Sequence, residues 1–208
     1  MKLFLSSLSI SSEQKEAFIN LVEKDLSDIK FALIENAADP YSQKAKGFVE
    51  ETRKNLQSFE IKLEQVNLLE YKNRPNELFE KLSKFDVVWI GGGNTFYIRW
   101  LMKETGFDNI INKLLEKGIV YGGGSAGAIV AGKTLKYFDL VDNPEDSPEQ
   151  IYNGLGLTNL IIIPHWNTES FRDKLKEIKQ LYEKEDIEVT TIEDGKAIVI
   201  KDEDIIIV

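Results

Sequence analysis

The sequence contains no cysteine and a single histidine. The first absence excludes a disulfide framework, a thiolate metal site and a cysteine nucleophile. The second leaves no pair of imidazoles at the spacing zinc uses, so a metal centre is not expected. Positive charge is also scarce. Lys and Arg number 26 against 35 Asp and Glu, a formal net charge of −9, and a chain so poor in clustered cations is a weak partner for nucleic acid. No apolar run approaches the roughly 18 residues of a spanning helix. The opening "MKLFLSSLSISSEQ" is broken by serines and has no small-residue cleavage site, so it reads as a first strand rather than a leader. The expectation is a cytoplasmic protein that engages neither membrane nor nucleic acid and needs no cofactor.

The 208 residues suit one domain, 1–208, and no linker or shift in composition divides them. Apolar β-like runs alternate with amphipathic stretches: "KLFLSSL", a helix near 12–26, "IKFALIENAA", a helix near 42–58, "IKLEQVNLL", a short helix near 75–84, and "DVVWIGG". Residues 95–117 read as one long helix or two, with Gly106 as the break and Gly118 as a stop. The strand "IVYGG", a helix starting at Ser125, a long polar stretch "DLVDNPEDSPEQIYNGLG" in the position of a lid, "LIIIPHWN", a helix near 169–184 and the runs "IEVTTI", "KAIVI" and "DIIIV" follow. This alternation predicts an α/β fold: a doubly wound, mostly parallel sheet with helices on both faces and an antiparallel C-terminal edge hairpin.

Three features at predicted strand ends carry chemistry. Gly123-Gly124-Ser125-Ala126-Gly127 fits G-x-S-x-G between a strand and a helix, where a nucleophilic serine sits on a sharp turn beside a helix N-terminus. The Ala126 N–H would share the space of the Ser125 hydroxyl as half of an oxyanion hole. The bland reading keeps Ser125 as a helix N-cap only. A second glycine turn, Gly91-Gly92-Gly93-Asn94-Thr95, could supply the other oxyanion donor from Gly92 or Gly93, or simply cap its helix with Asn94 or Thr95. His165, the only histidine, follows "LIIIP" and has the chemistry to move the serine proton. The acid that would orient it is open among Asp139, Asp142, Glu193 and Asp194.

In that order and spacing, "WIGGGNTF", "GGGSAGA" and "IIPHWN" resemble the serine peptidases of the dipeptidase E and cyanophycinase family, with anchors from about residue 87 to 200. The resemblance implies a class I glutamine amidotransferase-like (flavodoxin-like) fold in which serine replaces cysteine. It implies Ser125 as nucleophile, His165 as base, and the Gly91–Gly93 turn with Ala126 as oxyanion donors, with Asn94 beside them. The family's acid in a strand-turn falls on Asp194, next to Glu193; the version placed between serine and histidine falls on Asp139. Aspartyl dipeptidases of this family hold the substrate's N-terminal aspartate with a basic residue after the histidine segment. Here Phe171 occupies that place beside Arg172; Arg99 and Lys133 are the alternative basic residues, each read first as a solvated helix-surface or turn charge. The expected activity is serine-type hydrolysis of short peptides, with N-terminal aspartate as one candidate preference, by a monomer or homodimer. An esterase or amidase with the same triad, or a non-catalytic binding module, are the alternatives.

Overall fold

A computed structural model describes residues 1–208. Strands β1 (Lys2–Ser6), β2 (Lys30–Ile34), β3 (Lys62–Gln65), β4 (Val87–Ile90) and β5 (Val120–Gly124) are interleaved with helices α1 (Lys15–Val22), α2 (Gly47–Ser58), α3 (Pro75–Leu82), α4 (Thr95–Thr105) and α5 (Phe107–Glu116). Helix α6 (Ala126–Ala131), strand β6 (Ile162–Ile163), helix α7 (Arg172–Glu183) and strands β7 (Thr190–Thr191), β8 (Ala197–Lys201) and β9 (Asp204–Ile207) complete the chain.

Seven strands form one sheet in the order β3-β2-β4-β5-β1-β8-β9. The first five are mutually parallel, and β8 and β9 are antiparallel at one edge, as the sequence pattern predicts. The inner strands β1, β2, β4, β5 and β8 are buried along nearly their whole length because both faces are covered, whereas the edge strands β3 and β9 are largely exposed. Along β4, Val88 and Ile90 point into one core of 41 buried residues, while Val87 and Trp89 point into the other, of 16. The larger core holds the buried faces of α3 to α7, and the smaller one those of α1 and α2. No helix is long and apolar enough to cross a membrane.

Two expectations change. Helix α1 is shorter than 12–26, because Glu23 turns into the left-handed region (φ 63°) and closes it after Val22. Strands β6 and β7 do not join the main sheet; they pair with each other as a separate two-stranded parallel ribbon. The segment carrying the histidine therefore stands beside the large sheet rather than in it. Gly106 (φ 72°) does divide α4 from α5.

Asn94 caps α4. Its Oδ1 accepts from the Phe96 and Tyr97 amides at 3.0 and 2.9 Å, and its Nδ2 donates to the Asn143 carbonyl at 2.8 Å. Asn94→Ala removes the cap and this tie to the long polar segment, and should cost about 2 kcal/mol. Urea denaturation measures it, and a loss under about 0.5 kcal/mol would contradict the assignment.

Candidate active site

Strand β5 runs parallel to β1 and ends at Gly124, paired with Ser6. The chain then reverses sharply into α6. Ser125 sits on this turn with φ 51° and ψ −110°, a region sparsely populated for any residue with a side chain. Its amide donates to the Ser6 carbonyl and its own carbonyl accepts from Ala128 and Ile129, so the backbone is held from both sides. The turn closes only because its flanks are bare. A Cβ on Gly123 would lie 2.4 Å from the Gly127 backbone, and one on Gly127 would lie 2.2 Å from the Ile90 carbonyl. This contact is the physical reason for glycine two residues before and two after the serine. Ser125 does not use its side chain as a cap; the hydroxyl points elsewhere.

It points at the histidine. Ser125 Oγ lies 2.8 Å from His165 Nε2, and His165 Nδ1 lies 2.8 Å from Asp194 Oδ1. His165 follows β6 with a positive φ of 60°, and Asp194 lies in the turn between β7 and β8. An ionised carboxylate can only accept, so Nδ1 carries the ring proton and Nε2 is left free to accept from the serine hydroxyl. Three further side chains hold the pair. Ser7, just past β1, donates its hydroxyl to Asp194 Oδ1 at 2.6 Å and accepts from the His165 amide at 2.8 Å. Thr168 donates to Asp194 Oδ2 at 2.5 Å, and the Asp194 amide donates to the Asn167 side chain at 2.8 Å. The sequence pattern does not single out Ser7, Asn167 or Thr168, although "LFLSS" does place a serine pair at the end of an apolar strand.

Burial by itself raises the Asp194 carboxyl, but hydrogen bonds from His165, Ser7 and Thr168 outweigh it and hold the pKa at about 2. A folded-state value below the ordinary 3.8 contributes stability, about 2 kcal/mol, that is fully present above 3.8 and lost as pH falls through about 2. The stability deficit of Asp194→Asn relative to wild type should therefore shrink between about pH 5 and about pH 2 in denaturant titrations. A deficit independent of pH would contradict this electrostatic account.

The second glycine turn approaches the serine directly: a Cβ on Gly92 would stand 3.3 Å from Ser125 Cβ. The amides of Gly92, Gly93 and Ala126 donate to no carbonyl or side chain of the protein, which leaves them available beside the hydroxyl. Gly93 (φ 143°) packs so tightly on Ala37 that no side chain fits there.

These groups open into a cleft of about 580 Å³. Gly92, Gly93, Ser125, His165 and Asp194 line it, together with Phe138, just ahead of the long polar segment, and Val141 and Asp142 within it. That segment forms a wall pinned to the start of α4, where Asp142 accepts from the Thr95 amide and hydroxyl at 2.9 and 2.5 Å. Asn94, expected beside the oxyanion donors, is fully buried and committed to its cap, so it does not face the cleft. Asp139 and Glu193 are both exposed and neither touches His165. Arg99 is not a solvated charge: it is 8% exposed, donating to the Asn153 carbonyl and to Asp108. Lys133 is exposed and away from the cleft. Phe171 stands against His165, ring centroids 5.5 Å apart.

Known proteins resemble this chain in sequence and, where a structure is solved, in fold. An uncharacterized peptidase of Listeria innocua is 32% identical over 127 residues, which cover 60% of this chain and 60% of that one. Peptidase E of a Nostoc species is 27% identical over 206 residues, 95% of this chain and 78% of that one. The crystal structure of a protein designated a peptidase E from Listeria monocytogenes EGD-e matches with a TM-score of 0.84 at 25% identity, over 99% of this chain and 96% of that chain. Against the Listeria and Pasteurella multocida curated relatives the matching stretch spans between 52% and 65% of their length. A profile of the whole family, by contrast, runs from residue 3 to residue 208 and takes in both glycine turns, the histidine and the acidic turn: the chain belongs to peptidase family S51.

Proposed function

We propose that the protein is a serine exopeptidase that cleaves short peptides through an acyl-enzyme formed on Ser125. The observation that carries this reading is the unbroken line Ser125 Oγ, His165 Nε2, His165 Nδ1, Asp194 Oδ1, with both links at 2.8 Å on a strained turn that opens into a cleft.

The geometry supports the following roles. His165 Nε2 takes the hydroxyl proton as Ser125 Oγ bonds to the scissile carbonyl carbon, and the carbonyl π electrons move onto oxygen. The amides of Ala126 and Gly92, unpaired within the protein, would donate to that oxyanion, with Gly93 as the next candidate. Asp194 fixes the tautomer of His165 and stabilises the imidazolium. As the C–N bond breaks, His165 returns the proton to the departing amine. Water then repeats the sequence against the ester and releases the acid and the free serine. Ser7 and Thr168 are positioning residues, acting through Asp194 and the His165 backbone.

Incubation with a mixture of dipeptides, read as release of free amino acids by wild type and Ser125→Ala, tests the proposal. Release by wild type alone is expected. Equal release by both proteins contradicts it, and turnover of small esters without any turnover of peptides replaces it with the esterase reading.

A further inference from the structure

We infer that the cleft selects a substrate whose reacting residue has an apolar side chain and a free ammonium group, and that Asp142 is the anchor for that ammonium. This rests on the serine-exopeptidase reading above and adds to it the chemical class of substrate.

The walls of the cleft argue first. Leu8, Ile10, Phe48, Phe138, Phe171 and Leu175 line it, and no lysine or arginine does. The cations near the site are occupied or elsewhere. Arg99 is spent on Asp108 and the Asn153 carbonyl. Arg172 and Lys176 line a separate depression of about 310 Å³ with Trp166 and Glu193. An acidic substrate side chain would have to leave water without a counter-ion, a cost of several kcal/mol. It would also enter against Glu51, Asp142 and Asp194, three carboxylates of the lining.

The carboxylates argue second. Asp142 spends Oδ2 on the Thr95 amide and hydroxyl, while its Oδ1 has no partner in the protein. Burial pushes the Asp142 carboxyl up, a penalty that a neighbouring cation relieves. Its position fits the demand of the chemistry. In an exopeptidase substrate with a free N-terminus, the ammonium sits on the carbon bonded to the scissile carbonyl, so its anchor must stand close to the oxyanion donors. Thr95, which Asp142 holds, is three residues from Gly92, which abuts Ser125. Glu51, from α2, adds a second carboxylate without a hydrogen bond or ion pair in the chain. A carboxylate in the same cleft as Ser125, beside Leu8, Ile10, Phe138 and Phe171 as well as polar groups of the lining, is complementary to a neutral N-terminal residue such as leucine, methionine or phenylalanine.

The test compares kcat/KM for Leu-Leu, Asp-Leu and N-acetyl-Leu-Leu, with wild type and Asp142→Asn, alongside the rate of fluorophosphonate labelling of Ser125. Asparagine keeps an oxygen for Thr95 and replaces the free, charged oxygen with a neutral NH2 that cannot accept from an ammonium. Leu-Leu is expected to exceed both Asp-Leu and its acetylated form by about 100-fold. In Asp142→Asn the KM for Leu-Leu should rise about 10-fold or more, with the acetylated substrate and the labelling rate little changed. Preference for Asp-Leu, equal cleavage of the acetylated peptide, or an equal loss on both substrates in Asp142→Asn would each overturn the inference. Labelling of Ser125 without cleavage of any of the three peptides also overturns it while leaving the nucleophile in place. Absence of both labelling and cleavage would instead defeat the exopeptidase reading on which it rests.

Discussion

Ser125→Ala should lower kcat for peptide hydrolysis by at least about 10⁴-fold, because it removes the only atom that can form the acyl-enzyme. The fold should survive the change. The Ser125 side chain makes one hydrogen bond, to His165, and serves neither as a cap nor as a core contact. Alanine meets the same backbone strain as serine at φ 51°, so the turn is no worse off. Nothing nearby can substitute. The chain has no thiol, and Ser7, the other hydroxyl near the ring, lies 3.5 Å from Nδ1, the nitrogen that faces Asp194, with its own proton given to that carboxylate. Steady-state kinetics with a matched thermal melt checks the expectation. A variant that melts like wild type and retains more than about a hundredth of its kcat would show that Ser125 is not the nucleophile.

The second large effect belongs to Asp194→Asn, expected to reduce kcat about 10³- to 10⁴-fold near neutral pH. Side-chain size is unchanged, so the loss is one of proton placement. Asparagine can donate to His165 Nδ1, which favours the tautomer with the proton on Nε2, where it faces Ser125 instead of accepting from it. The imidazolium formed on attack also loses its counter-ion, a carboxylate held at a pKa of about 2 by His165, Ser7 and Thr168 despite its burial. Asp139→Asn and Glu193→Gln serve as controls, since both residues are exposed and neither touches the ring. A full rate in Asp194→Asn together with a large loss in either control would move the acid elsewhere.

Much of this arrangement is legible in the sequence, for identifiable reasons. Close backbone approach at the Ser125 turn demands glycine at fixed offsets, and that leaves a local signature. His165 stands out because it has no competitor in the chain. The parallel sheet and its antiparallel edge follow from apolar runs whose spacing alternates with helical ones. What stays hidden depends on contacts between distant segments. Ser7 and His165 are 158 residues apart in sequence, and no periodicity joins them. The choice of Asp194 over Glu193 turns on which of two neighbouring side chains faces inward, and a turn has no repeat from which to read that. The two-residue strands β6 and β7 look like members of the main sheet because composition reports burial, not the partner. Asn94 and Arg99 resist reading from sequence in opposite directions. A polar residue in a glycine turn fits a ligand contact or a helix cap alike, and Asn94 is a buried cap. A cation on an amphipathic helix suggests solvent and is in fact buried against Asp108.

The central claim is that Ser125 is a nucleophile activated by His165. Fluorophosphonate labelling followed by intact mass and peptide mapping tests it most directly, using wild type, His165→Gln and Ser125→Ala. One adduct per chain on Ser125 is expected in wild type, with labelling slowed by at least about 100-fold in His165→Gln and none in Ser125→Ala. An adduct on another residue, or equal labelling rates in wild type and His165→Gln, would contradict it.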